Sequence, residues 1–144
     1  MKVAIGSDHA GYDVKQEVLK KLSCEGYDVK DFGTHSHDSV DYPDIAHSVA
    51  EAVACGECDR GILLCGTGIG MSIAANKVRG VRAALCHDDF TAKMAREHND
   101  ANVLTVGTRT TATYGIRRMV DIFLSAEFAG GRHANRVSKI EKPE

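Results

Sequence analysis

A cysteine stands directly before alternating glycines in the stretch Leu64-Cys65-Gly66-Thr67-Gly68-Ile69-Gly70-Met71-Ser72. The apolar run Gly61 to Leu64 precedes it, and Ile73-Ala74-Ala75-Asn76-Lys77, which reads as a helix, follows it. A strand that ends in a glycine-rich turn and feeds a helix presents backbone N–H groups to an anionic oxygen. A thiol at the lip of such a turn gains acidity from nearby dipoles or cations, which makes Cys65 a candidate base or nucleophile. Free cysteine otherwise behaves as a small buried hydrophobe. Cys86 ends an expected strand without a glycine turn and is read as core.

Gly66-x-Gly68-x-Gly70 is not a dinucleotide fingerprint, which needs two residues before its last glycine and follows the first strand rather than the third. A small-anion or oxyanion pocket is preferred over a purely structural tight turn. In Gly6-Ser7-Asp8-His9-Ala10-Gly11, a carboxylate beside an imidazole either orients a hydroxyl and shuttles a proton or caps a helix beside a solvated histidine. His98 at a helix end is explained equally by the helix dipole and by a paired hydrogen-bonding role with Asn99. Arg132 and Arg136 sit four apart, on one face if the tail is helical, and two guanidiniums there would clamp a phosphate or form a solvated basic face. Arg109, after the fifth strand, is a candidate to join them. His35, His37, His47 and His87 have no partners at metal-binding spacing and read as surface residues.

The elements that must hold these groups alternate. Lys2 to Gly6, Tyr27 to Phe32, Gly61 to Leu64, Val81 to Cys86 and Asn102 to Val106 read as strands. Helices are predicted from Val14, Val18 and Leu22 up to Gly26, from Pro43 to Gly56, from Asp88 to His98, and over Ile116, Met119, Val120, Phe123 and Leu124. Gly33 to Asp41 reads as a polar surface loop. This pattern specifies a parallel sheet with helices on both faces, in which ligands sit beyond the C-terminal strand ends. Asp8, His9, Cys65 to Gly70, His87, Asp88 and Gly107 to Arg109 gather at that edge, and the chemistry is expected there.

The 144 residues suit one domain spanning 1–144, with 43% hydrophobic and 26% charged residues. A formal net charge of −2, no Trp and only four each of Tyr and Phe argue against a nucleic acid or anionic membrane partner. The start Met-Lys-Val-Ala-Ile-Gly lacks signal-peptide character and no apolar run reaches membrane-spanning length, so a cytoplasmic location is expected. The five cysteines suit reduced thiols. Cys55-Gly56-Glu57-Cys58 has zinc or redox spacing but no second pair, and reads as a helix-to-strand connection.

Taken together, Gly6-Ser7-Asp8-His9-Ala10-Gly11, Asp41-Tyr42-Pro43, Cys65-Gly66-Thr67-Gly68-Ile69-Gly70, Ala75-Asn76-Lys77, His98-Asn99-Asp100-Ala101-Asn102 and Gly130-Gly131-Arg132-His133 with Arg136 resemble type B ribose-5-phosphate isomerases. That family is shared with allose-6-phosphate and galactose-6-phosphate isomerases. Each motif alone is weak; all six in this order, over nearly the whole chain, are specific.

The resemblance implies a single-domain, three-layer α/β/α sandwich around a Rossmann-like five-stranded parallel sheet. It implies an aldose-ketose isomerase, without metal or other cofactor, acting on a small sugar phosphate, ribose 5-phosphate and ribulose 5-phosphate. Cys65 matches the base that moves a proton between C1 and C2. Gly66, Thr67, Gly68, Ile69 and Gly70 match the site that stabilises the cis-enediolate, and Thr67 a relay between the two substrate oxygens. His98, with Asp8, matches the group that opens the furanose ring. His9, Arg132, Arg136 and Arg109 match the phosphate clamp, and Asn99 a hydroxyl contact. Some relatives lack the cysteine and carry a carboxylate near Met71; methionine takes no proton, so this chain groups with the cysteine-based members. Ser7 replaces a cysteine of some relatives, a change expected to be neutral. The galactose-6-phosphate branch lacks the His98-Asn99 and Arg132/Arg136 pattern, which favours a pentose phosphate; allose 6-phosphate and a non-catalytic sugar-phosphate-binding module are the alternatives. The resemblance also implies a homodimer, or a tetramer built from it, whose sites are shared. The His98 loop and the tail at about 130–144 would then reach a neighbour's Cys65.

Overall fold

A computed structural model describes all residues, Met1–Glu144. Five strands, β1 (Lys2–Ser7), β2 (Asp28–Asp31), β3 (Arg60–Cys65), β4 (Ala83–Leu85) and β5 (Val103–Gly107), form one parallel sheet in the order β2-β1-β3-β5-β4. The helices are α1 (Tyr12–Cys24), α2 (Tyr42–Ala54), α3 (Ile69–Ala75), α4 (Asp89–Glu97), α5 (Thr113–Ser125) and α6 (Arg132–Val137). The expected three-layer α/β/α arrangement is what the chain adopts.

The alternation of side chains along each strand divides the core into two layers. Val3, Ile5, Ile62, Leu64, Leu104 and Val106 point to one face, where Val18 and Leu22 of α1, Ala92 and Ala95 of α4 and Ile116, Met119, Val120, Phe123 and Leu124 of α5 cover them. Ala4, Leu63, Cys65 and Val103 face the other way, onto Val49, Ala50 and Val53 of α2 and Met71, Ala74 and Ala75 of α3. Each large side chain so buried contributes about 1.5–3 kcal/mol. No helix is long and apolar enough to cross a membrane.

Element boundaries differ from the sequence reading where a turn intervenes. α3 begins at Ile69 rather than Ile73, because Gly68 adopts φ 77° and turns the chain straight into the helix. It ends at Ala75: the Asn76 side chain instead bonds both the N–H and the C=O of Ala83, covering the outer edge of β4. β4 loses its first two expected residues, since the Val81 N–H closes a turn onto the Val78 carbonyl. Chain direction reverses between β1, which leads out to β2, and β3, which leads towards β5 and β4. The C-terminal ends of β1 and β3 therefore border the crevice where such sheets bind ligands.

Candidate active site

The register fixes which groups meet at that crevice. Ser7 pairs with Leu64, and Cys65 with Gly107, so the ends of β1, β3 and β5 finish level. Beyond them lies a cleft of about 440 Å³ lined by Asp8, Tyr42, Cys65, Gly66, Thr67, Ile69, Gly70, Ile73 and Arg109. The β3 and β5 turns are stitched together: Thr108 N–H donates to the Cys65 carbonyl at 2.8 Å and Arg109 N–H to the Gly66 carbonyl at 2.9 Å. The Thr108 hydroxyl bonds the Ala10 carbonyl at 3.1 Å, tying in the loop after β1.

Cys65 is only 5% exposed, and its Sγ accepts the Gly68 N–H at 3.1 Å. That bond crosses the turn and fixes the direction of the sulfur at the cleft floor. Thr67 is exposed above it, with Oγ1 accepting the Ile69 N–H at 3.3 Å. Arg109 lies against the turn, where a Cβ on Gly66 would come within 3.3 Å of its Nη1. The Tyr42 ring packs on the backbone of Gly70 so closely that a Cβ there would stand 2.5 Å from it. Tyr42, part of the Asp41-Tyr42-Pro43 motif but given no role by the sequence, lines the cleft. Its signal was an aromatic beside the proline that opens a helix.

Asp8 is a capping residue, as one of its two readings has it, and it also borders the cleft. It is buried, and its Oδ1 caps the short turn His9–Gly11 by accepting the Gly11 N–H at 3.1 Å. His9 is half-buried beside it, with Nδ1 accepting the Val40 N–H at 3.3 Å, which leaves Nε2 as the nitrogen that carries the ring proton when the imidazole is neutral.

The remaining candidates lie elsewhere in the same chain, contrary to the expectation of a single edge. α4 runs back along the sheet from the end of β4, so His98 and Asn99 emerge where β5 begins. There the Asn102 carbonyl accepts the N–H of Gly61, four residues before Cys65 and about 13 Å from it along β3. The tail joins them at that far edge: Ala129 N–H donates to the Glu97 carbonyl, and His133 stacks on His98 with centroids 4.1 Å apart and planes 12° from parallel. Arg132 and Arg136 are exposed on α6, one turn apart. Arg109 thus does not join the tail arginines within one chain, because a helix following a parallel strand must return to the opposite end of the sheet. Burial, and after it the nearby His98, Arg132 and Arg136, push His133 below the ordinary imidazole value.

The other cysteines and histidines occupy ordinary places. Cys86 is core, and burial pushes its thiol up to about 11. Cys55 ends α2 exposed while Cys58 is buried behind it, with its thiol raised by that burial. His37 is exposed and pairs with Asp13 at 2.7 Å. No three His, Cys, Asp or Glu side chains are grouped closely enough to hold a metal ion.

A parallel sheet with a cysteine-and-glycine turn at its switch point is the architecture of a small-ligand-binding α/β protein. Residues 3–140 match the Ribose/Galactose Isomerase family model, and the chain belongs to that family and is an isomerase. It is 48% identical to ribose-5-phosphate isomerase B of Escherichia coli over 139 residues, covering 96% of this chain and 93% of the relative. It is 43% identical over 141 residues to a D-erythrulose-4-phosphate isomerase of Pectobacterium atrosepticum, covering 97% and 93% of the two chains. The solved structure of Clostridium thermocellum ribose-5-phosphate isomerase B superposes with a TM-score of 0.96 at 58% identity, over 97% of this chain and 95% of that one.

Proposed function

We propose that the chain interconverts ribose 5-phosphate and ribulose 5-phosphate through a cis-enediolate, with Cys65 as the base. The observation that carries this is the Gly68 N–H to Cys65 Sγ bond at the floor of a cleft that also presents Asp8, Thr67 and Arg109. His98, with Asp8, opens the furanose ring by exchanging protons with the ring oxygen and the C1 hydroxyl. The Cys65 thiolate takes the C2 proton, and negative charge develops on the substrate oxygens. The amides of the Gly66–Gly70 turn not already bonded to Cys65 Sγ or Thr67 Oγ1 face that charge without reorganising, which lowers the barrier more than it stabilises the neutral sugar. The proton returns to C1 while Thr67 passes one between the two oxygens, so atoms and charge balance. His9, Arg132, Arg136 and Arg109 hold the phosphate, and Asn99 a hydroxyl.

In this reading two copies build each site. Cys65, Asp8, His9 and Arg109 come from one, and His98, Asn99, Arg132 and Arg136 from the other, whose tail from about residue 130 reaches across. Support comes from the placement of the two groups at opposite sheet edges. The exposed apolar side chains Tyr42, Ile69 and Ile73 around the cleft, 41–58% exposed, are the kind of surface a second copy covers.

The Pectobacterium relative favours a four-carbon phosphate as the second reading. Comparing kcat/KM on ribose, allose and galactose phosphates and on D-erythrulose 4-phosphate decides between substrates. Ribose 5-phosphate is expected to be the preferred substrate; a higher value on any of the others overturns the pentose assignment.

A further inference from the structure

Asp100 is the single non-glycine residue with a left-handed backbone, at φ 45°. It ends the turn that leaves α4, with its N–H on the Arg96 carbonyl at 3.2 Å and the Ala101 N–H on the Ala95 carbonyl at 2.9 Å. Glycine is the usual occupant of such a position, and a residue with a side chain is strained there. The carboxylate gives a reason for the aspartate. Its Oδ1 accepts Arg96 Nη1 at 2.8 Å and its Oδ2 accepts Arg82 Nη2 at 3.3 Å.

The two arginines also hold the backbone on either side. Arg82 donates to the Asn99 carbonyl at 3.2 Å and to the Asp100 carbonyl at 2.9 Å through Nη2. Arg96, 3% exposed, donates to the Ala101 carbonyl at 2.6 Å and to the Ala126 carbonyl at 3.4 Å, where the chain leaves α5 for the tail. Its guanidinium lies 5.9 Å from the centre of the Phe123 ring. One buried guanidinium therefore ties the His98 loop to the base of the segment that carries His133 and both tail arginines. A guanidinium has a fixed planar fork, so these bonds set direction as well as distance.

We infer that Arg82 and Arg96 are positioning residues, acting through Asp100 to aim His98 and Asn99 for ring opening. This rests on the proposed isomerisation. Neither arginine touches substrate in it; they hold the loop so that the imidazole and the tail present one rigid surface to the partner copy's cleft.

The chemistry of the two substrates separates this role from a merely structural one. Ribose 5-phosphate is a furanose and must be opened, whereas ribulose 5-phosphate has its C5 oxygen phosphorylated and is acyclic. Purified full-length Asp100→Gly, which relieves the backbone strain, and Arg82→Ala, whose side chain is 23% exposed, are compared with wild type in D2O. Ribose 5-phosphate turnover is one readout; the other is total enolisation of ribulose 5-phosphate, counted as deuterium gained at C1 plus ketose converted. Thermal melting reports the fold, and Asp100→Asn, which keeps one acceptor, serves as the conservative rescue.

Turnover of ribose 5-phosphate is expected to fall about 10²-fold, the loss a 1 Å misplacement produces. Enolisation of ribulose 5-phosphate should change far less, and Asp100→Asn should recover part of the loss. Equal losses in both readouts, or none, overturn the positioning role. A wild-type protein inactive on ribose 5-phosphate would instead overturn the isomerase reading beneath it.

Discussion

The backbone N–H of Gly68 donates to the Sγ of Cys65 across 3.1 Å, closing the turn after β3 around the thiol. The bond exists because Gly68 takes φ 77° and lies flat against β5. An added Cβ would stand 2.6 Å from Leu85 Cδ1 and 2.9 Å from the Val106 carbonyl carbon.

Gly68→Ala therefore combines a left-handed strain with a backbone clash. We expect it to lower stability by about 1–3 kcal/mol from the strain alone, and to lower turnover further by displacing the sulfur. Chemical denaturation and steady-state kinetics on the same preparation check this. Unchanged turnover would show that the turn does not hold the thiol for catalysis.

The separation of Cys65 from His98 within one chain makes a complementation experiment informative. Cys65→Ala and His98→Ala, each inactive alone, are mixed, denatured together and refolded. In the proposed two-copy site, random pairing leaves one intact site in each mixed dimer and should restore about a quarter of wild-type activity. No recovery from correctly refolded dimers would place both residues of each site in the same chain.

The stacked pair His98 and His133 gives a pH dependence with a definite sign. His133 is held below its unfolded value, first by burial and then by His98, Arg132 and Arg136. The folded tail thus binds its proton less readily than the unfolded chain does. Its stability is complete above about pH 6.5, the unperturbed value, and is lost as pH falls through the window between that and the lower folded value. NMR titration should place the His133 ring below the ordinary value, with His98→Ala raising it. A ring that titrates normally, or ignores the substitution, contradicts the coupling.

Much of this was legible in the sequence. The 3.6-residue spacing of Ile116, Met119, Val120, Phe123 and Leu124 marked the buried face of α5, and all five are buried. The glycine run after an apolar segment located Cys65 at a strand end. The far position of His98 also follows from the strand-helix alternation, since a helix must carry the chain back before the next parallel strand starts, but the single-edge expectation did not use it. The His98–His133 stack was not legible, because the rings stand 35 positions apart with no shared period and only the fold closes that loop.

Lys15 was equally hidden. It stands between the apolar positions of α1, yet is fully buried, with Nζ bonded to both Asp31 oxygens at 2.7 and 2.8 Å and to the Thr34 carbonyl at 2.7 Å. Helix periodicity treats a lysine as solvated. Its burial depends on a carboxylate and a carbonyl contributed from β2 and the loop beyond it, a tertiary arrangement that no local pattern carries.

The most direct measurement is conversion of ribose 5-phosphate to ribulose 5-phosphate by Cys65→Ala, with melting temperature and circular dichroism recorded on the same sample. With Cys65 as the base, turnover falls by about 10²–10⁴-fold while the fold is retained. Full turnover in a folded Cys65→Ala protein would contradict the assignment of the base.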